Sequence, residues 1–528
     1  MAYFDAPCPL LPDLIDRQSR WLGEKPALIC DGLRWSWQEF GARLRGFAAA
    51  LAQSGIEPGD RVVVIMDNGA PMLEALFGTL RAAACVVPLN VSVAPAALAA
   101  MVEDCGARAV IVSGKYRAAL DPSHHPGVKL WVSAELGSSD GPWLDFDAWR
   151  HRPPSAELTR YIEQLVIAPD SACNIIYSSG TTGIPKGIVH DHQRRMDWAR
   201  SMALALRYDS RAVTLCPIGL YSNISWVSML STFVVGGTLV VERHFDPAKT
   251  LATIARERVT HGSLVPIIVQ RLLESADFSH TDLSSLNALM CCGSPLPLPL
   301  KRRALSDFGC AFIELYGLTE GVITTLEPEE AAGREMSVGK PLPGTEILLL
   351  DDEDRPVVRG ASGEIVSRGH ITMTGYFNRP DANAESSWRD SAGRLWLRTG
   401  DIGRLDDEGY LYIVDRKKDM ILSGGQNVYP ADIEAVAVNH PLVAEIAVIG
   451  LKSQRWGETP VAIVVPRSTP ASADAAAEEL REWINARVGK QQRVAGVALT
   501  NALPRNPNGK ILKRELRKTY AHLEASVA

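Results

Sequence analysis

The segment Tyr177-Ser-Ser-Gly-Thr-Thr-Gly-Ile-Pro-Lys-Gly187 gathers four aliphatic hydroxyls (Ser178, Ser179, Thr181 and Thr182), three glycines and one lysine into eleven residues. Apolar Ile175 and Ile176 lead into it. Such a loop can wrap a polyphosphate. Glycine lets backbone N–H groups approach closely, hydroxyls donate to phosphate oxygens, and lysine supplies charge. The same composition also describes an ordinary turn. A Walker A loop would need Gly-x-x-x-x-Gly-Lys followed by Ser or Thr, whereas here Pro185 precedes Lys186 and Gly187 follows it. The rest of the chain has to decide between a phosphate cradle and a plain loop.

Outward from the loop, short apolar runs alternate with longer amphipathic ones. Residues 61–66, 85–88 and 109–113 read as strands, and 71–84 and 95–105 as helices. Pro95 takes the favoured first-turn position of its helix. After the loop, 212–216 and 238–242 read as strands and 247–257 as a helix. Strands alternating with helices predict an α/β fold, a parallel sheet covered on both faces. From about Gly339 the texture changes. Residues 346–350, 363–367 and 409–414 are short strands separated by Asp/Gly turns, which predicts a β-rich subdomain over about 339–414. The last stretch mixes helices (430–439, 471–488) with strands (446–449, 461–465), enough for a small α+β domain. The charge cluster Asp415-Arg-Lys-Lys-Asp419 lies between apolar strands and reads as a hinge. It sets an expected boundary between an N-terminal domain, 1–416, and a C-terminal one, 417–528.

At 528 residues the chain is too long for one core, since cores stop growing near ~250–300 residues. A net charge of −6 gives no basic surplus for nucleic acid. No signal peptide is legible at the acidic N-terminus, and no run approaches the ~18 apolar residues of a membrane span. The nine cysteines are scattered and odd in number, which argues against a disulfide framework and fits a cytoplasmic setting. Cys291 and Cys292 read as small buried residues.

Four further segments carry chemistry: Glu314-Leu-Tyr-Gly-Leu-Thr-Glu320, Arg398-Thr-Gly-Asp401, Gly424-Gly-Gln-Asn-Val-Tyr-Pro430 and Asn506-Pro-Asn-Gly-Lys510. In this order, with the glycine loop, the chain resembles the AMP-forming, adenylate-forming superfamily of acyl- and aryl-CoA synthetases over essentially its whole length. The resemblance implies a large N-terminal domain of parallel α/β sheets with the β-rich subdomain, and a small mobile C-terminal domain. It implies ATP and coenzyme A as cosubstrates, Mg²⁺ as cofactor and a small-molecule carboxylic acid as the group activated.

The same resemblance assigns residues. Ser178, Ser179, Gly180, Thr181, Thr182 and Lys186 would contact the ATP phosphates, with Thr319 close by. Glu320 would hold Mg²⁺, a hard cation suited to carboxylate and phosphate oxygens. Gly293-Ser294-Pro295 and Glu314, Tyr316 and Gly317 would flank adenine. Asp401 would bind the ribose hydroxyls, and Arg416 would reach the nucleotide. Lys418 matches the hinge position. Lys510 would be the catalytic lysine of adenylation, and Gly424, Gly425 and Asn427 would line the coenzyme A path after the C-terminal domain turns.

Two departures matter. The adenine-side motif, commonly Gly-Gly-Ala-Pro, reads Cys292-Gly-Ser-Pro295. His190 and His192 follow the loop, and structural packing is the preferred reading for them, since two histidines alone make a poor metal site. The acyl pocket is expected around 216–226, with Tyr221 and Trp226 as its candidates. No aspartate there would hold an amino group, and no cation would pair a second carboxylate; Lys301, Arg302 and Arg303 are expected to face solvent. The expected activity is ligation of a fatty or aromatic acid to CoA. The alternative is a free-standing acyl-adenylating enzyme that loads a carrier protein. Monomer and homodimer both stay open.

Overall fold

The computed structural model describes residues 8–177, 185–423, 426–453, 456–505 and 509–525. They form two compact units. The first runs to Glu335 and adds Pro341–Thr345 and Gly369–Glu385. The second comprises Met336–Lys340, Glu346–Arg368 and the residues from Ser386 onward. The β-rich stretch expected over about 339–414 is divided between them, most of it in the second unit and residues 341–345 and 369–385 in the first.

In the first unit one sheet is built on the parallel strands Cys85–Pro88, Arg61–Ile65, Ala109–Ser113 and Leu130–Ala134. Ala172–Tyr177 joins it in parallel, and Gly187–Asp191 returns antiparallel, with Tyr177 opposite Gly187. The two flanks of the glycine segment, Tyr177 and Gly187, are thus paired on antiparallel strands. A second sheet places Ala311–Gly317, Ala288–Cys291, His261–Leu264, Val213–Cys216, Thr238–Val241 and Pro26–Cys30 side by side, all parallel. Most residues of these strands are buried, and the mostly apolar runs Ala288–Cys291 and Thr238–Val241 are buried throughout, as both faces of a parallel sheet are covered.

The sheet order positions the site. Residues 217–222, 292–295 and 318–320 each follow the C-terminal end of a strand in one parallel array. In open α/β sheets that end is where ligands bind.

Helices pack between the sheets through large aromatic groups. The helix Trp37–Gln53 starts at a capping box, Ser36 accepting from Glu39 N at 3.2 Å and Glu39 accepting from Ser36 N at 2.8 Å. Its Phe40 meets Phe233 at 5.2 Å between ring centroids, and Phe77 meets Phe233 at 4.9 Å. Each such ring removed from water contributes about 1.5–3 kcal/mol.

The second unit holds two antiparallel-dominated sheets. One contains Ser362–Gly369, Leu395–Leu405 and Leu411–Arg416. The other pairs the long strands Val443–Ser453 and Gly457–Pro466, backed by the helices Pro430–Ala437 and Ala473–Asn485.

Candidate active site

In the first unit the loop after Ala311–Gly317 is held from three sides. His190 Nε2 donates to the Thr319 carbonyl at 2.7 Å. Burial drives the His190 pKa well below the ordinary histidine value, so the ring is neutral and serves as a prop. The structural reading of this histidine holds. Glu320 O accepts from Met373 N at 2.8 Å, and Glu320 Oε1 accepts from Tyr376 Oη at 3.0 Å. Gly321 has φ +108°, and a Cβ there would lie 2.2 Å from the Ile371 carbonyl oxygen, so only glycine lets the two backbones meet.

Lys186 Nζ stands 4.9 Å above the Tyr376 ring. A cation, a carboxylate and the Thr319 turn are thereby gathered around one tyrosine. Burial, then the neighbouring Glu320, push the Tyr376 hydroxyl far above its ordinary pKa. It remains a proton donor to the carboxylate at any physiological pH. Among the described residues no cluster of three His, Cys, Asp or Glu could hold a metal alone. A single fixed carboxylate suits a Mg²⁺ whose other ligands come from phosphates and water.

The adenine-side candidates follow the neighbouring strands. Gly293 has φ +99°, and a Cβ there would press on Ile224 Cδ1 at 2.9 Å. Ser294 and Pro295 continue this loop. Gly317 is equally tight, since a Cβ would meet the Val322 carbonyl oxygen at 2.7 Å. Tyr316 is half-buried on the same strand as Glu314.

Glu314 itself pairs with Lys301. This corrects the expectation that Lys301 faces solvent: it is buried, and its Nζ also donates to the Glu335 carbonyl at 2.6 Å. Arg302 and Arg303 on the same helix do reach water. Burial raises the Glu314 pKa, and the Lys301 charge opposes that rise. The Glu314 carboxylate is thus engaged inside the protein.

The segment after Val213–Cys216 is clamped by a residue that the sequence did not single out. Asn68 Nδ2 donates to the carbonyls of Ile218 and Glu242, both at 3.0 Å, and Asn68 Oδ1 accepts from Leu220 N at 2.8 Å. Tyr221 is partly buried, its ring lying over Gly219, where a Cβ would be 2.3 Å from the ring. Trp226 is 0 % exposed and stacks on Phe77 at 6.2 Å. Its ring packs between helices but its Nε1 is buried without a hydrogen-bond partner, while Tyr221 is the more accessible of the two pocket candidates.

In the second unit Asp401 and Arg416 are cross-strand partners, with Arg416 Nε 3.1 Å from Asp401 Oδ1. Gly400 at φ +69° makes the bend before Asp401, and Asp401 N donates to Thr399 Oγ1 at 3.1 Å. Lys510 is drawn into the same neighbourhood. Burial, then the charges of Arg416 and Lys418, lower its pKa to about 7. Lys418 falls to about 8, through burial and then Arg416. Ser178, Ser179, Gly180, Thr181, Thr182, Gly424 and Gly425 lie outside the described residues. Asn427 is placed by its backbone, opposite Leu422.

The profile of the AMP-binding enzyme family matches residues 15–377, and that of the AMP-binding enzyme C-terminal domain matches residues 432–510. The chain belongs to the AMP-binding enzyme family. Among its relatives, a feruloyl-CoA synthase from Amycolatopsis is 34% identical over 509 residues, covering 96% of this enzyme and 98% of the relative. A long-chain fatty acid–CoA ligase from Mycobacterium tuberculosis is 32% identical, with 93% and 94% covered. The o-succinylbenzoate–CoA synthetase of Bacillus subtilis, solved with ATP and a magnesium ion, superposes with a TM-score of 0.81 at 29% identity, covering 96% of this enzyme and 99% of that one. The adenylate-forming fold expected from the motifs is therefore the fold of this enzyme. No helix among its described residues is long and apolar enough to cross a membrane.

Tyr376 and Asn68 are site-supporting residues that sequence reading passed over, and Lys301 is one that it placed on the surface. Only Lys301 left a local trace. It shares a helix face with Ala304, three residues on, and Ala304 is wholly buried.

Proposed function

We infer that this enzyme is an AMP-forming acid–CoA ligase acting on a fatty or aromatic carboxylic acid. The observation that carries the reading is the grouping of Lys186, Tyr376 and Glu320 beside the Thr319 turn, at the end of a parallel strand. In the first half-reaction the substrate carboxylate oxygen attacks the α-phosphorus of ATP, and pyrophosphate leaves with the electron pair of the broken P–O bond. Negative groups must meet for this to happen. Lys186 is proposed to hold the phosphates, and Lys510 to offset the charge that grows on the α-phosphate and the departing pyrophosphate. Glu320 would hold Mg²⁺, which when bound offsets phosphate charge. Asp401 is proposed to accept from the ribose hydroxyls, with Arg416 fixing its carboxylate. In the second half-reaction the thiol of coenzyme A attacks the acyl carbon, loses its proton, and AMP leaves. The turn at Lys418, with residues 424–427 replacing Lys510, is proposed to separate the two steps.

Pyrophosphate release over a panel of carboxylic acids, with and without CoA, tests the reading. Acyl-CoA formation with one AMP and one pyrophosphate per thioester is expected. Adduct formation indifferent to CoA, with transfer to a carrier protein instead, would replace it.

Replacing Tyr376 with Phe tests the carboxylate assignment. Losing the Oη hydrogen bond should weaken the apparent Mg²⁺ affinity by about 10–100-fold, the usual effect of removing a group that orients a metal ligand. Mg²⁺ titration of pyrophosphate release reads this out, and an unchanged titration midpoint would remove Glu320 from the metal site.

A further inference from the structure

Arg195 is a buried cation that forms no ion pair among the described residues. Arg195, on the helix His192–Ala205, is 1 % exposed. Its guanidinium carbon is 5.1 Å from the Trp198 ring centroid and 5.3 Å from that of Trp226. Nε donates to Asn174 Oδ1 at 3.0 Å. Nη1 and Nη2 are buried with no hydrogen-bond partner, as are Asn174 Nδ2 and Trp226 Nε1 nearby. Burial lowers the Arg195 pKa to about 10, with the nearby Cys173 thiol opposing the shift, so the group is still cationic at neutral pH.

Every one of these unpartnered atoms is an N–H donor. Buried donors left unpaired cost about 1–3 kcal/mol each, and an unpaired buried charge costs more. What satisfies such a set is an acceptor, and for a guanidinium the best match is a planar oxyanion bound by two parallel hydrogen bonds. The two indole rings in contact with the guanidinium favour a cation there and help to keep water from it.

The position points to which acceptor. Trp226 lies on the helix Asn223–Val235, which begins directly after Tyr221 and Ser222. Asn174 pairs across the hairpin with His190, the residue that props the Thr319 carbonyl. Arg195 therefore abuts the acyl-pocket segment on one side and the support of the phosphate turn on the other. The sequence reading found no cation in the 216–226 segment that could pair a second carboxylate. The structure brings one to that segment from another helix.

We propose that Arg195, with Asn174 and Trp226, recognises an oxygen acceptor at the far end of the acid being activated, and most strongly a second carboxylate. The proposal rests on the acid–CoA ligase reading and narrows it. The acid would carry two oxygen functions: the carboxylate that is adenylated, and a distal acceptor that stays bound to Arg195.

The test compares matched acids with the full-length enzyme, ATP, Mg²⁺ and CoA: 4-carboxycinnamate against cinnamate, and suberate against octanoate. The wild-type enzyme should favour the member with the distal carboxylate by ~10-fold or more in kcat/KM in at least one pair. Arg195→Met should collapse that ratio by ~10–100-fold, the range expected for losing hydrogen bonds to a charged group. Arg195→Lys, which keeps charge but not the planar fork, should restore part of it. The wild-type ratio can be measured whether or not the variants fold. No preference in the wild type, or an equal fall on both members of a pair in Arg195→Met, would mean that Arg195 holds only buried water, and would overturn the proposal while leaving the ligase reading intact. If no acid gives CoA-dependent pyrophosphate release, the ligase reading falls and this proposal with it.

Discussion

Replacing Lys510 with Ala is expected to lower the rate of acyl-adenylate formation by about 10²–10³-fold, the usual effect of removing one preorganised donor from a developing oxyanion. Conversion of supplied acyl-adenylate to thioester should change far less. Isotope exchange between pyrophosphate and ATP measures the first step, and thioester formation from synthetic adenylate measures the second. Equal losses in both would show that Lys510 serves the fold and not one half-reaction. The wild-type enzyme should also show a pH signature. In its proposed role Lys510 acts as a cation, and burial beside Arg416 and Lys418 brings its pKa to about 7. A lysine lowered in this way loses its charge as pH rises through that value. The kcat/KM for ATP, which reports the free enzyme, should therefore fall above about pH 7. Lys418→Gln removes one repelling charge and should move this limb to higher pH. A profile flat from pH 6 to 9 would sink the assignment.

Lys301→Met should cost about 3–5 kcal/mol of stability, because it strands the Glu314 carboxylate in the interior. The deficit should shrink as pH falls. Burial already raises the Glu314 pKa, and without Lys301 the folded-state value would rise further above the unfolded one. The folded variant then binds more protons than its unfolded chain. It gains relative stability at low pH and loses it as pH rises through the folded pKa. Pairing Lys301→Met with Glu314→Gln should recover most of the loss. Urea unfolding of the two single variants and the double at pH 5 and 8 closes this cycle. Additive costs with no pH dependence would show that the two residues do not act as a pair.

Lys301 also illustrates what could be read from sequence. Strands such as Cys85–Pro88 and Ala109–Ser113, and the helix Pro247–Glu257, match their sequence-read limits, because a buried strand's apolar run and a proline-started amphipathic helix are local signals. The chemistry-bearing segments were legible for the same reason: Thr319 and Glu320, or Asp401 and its glycine bend, sit within a few residues of each other. Pairings made only by the folded chain were not. Asn68 reaches the segment at 218–220 from a distant loop, Tyr376 comes to Glu320 from the edge of the first sheet, and Arg195 meets Trp226 only because two helices pack. The antiparallel return of Gly187–Asp191 was likewise hidden, since a buried strand reads the same in either direction.

The Asp401–Arg416 rung has a mechanical consequence. Up to Arg416 the chain is bound into a sheet. Immediately beyond, the links across Lys418 include two turn hydrogen bonds, from Asp419 N and Met420 N to the Arg416 carbonyl, and a bond from Ala431 N to Asp415 Oδ2. At about 0.5–1.5 kcal/mol apiece, releasing these three costs about 2–5 kcal/mol. That is the scale of free energy by which a bound intermediate can reverse a two-state equilibrium. If the chain turns at Lys418 as proposed, these three bonds are among those it must release, and the Asp401–Arg416 rung is the fixed point it turns against.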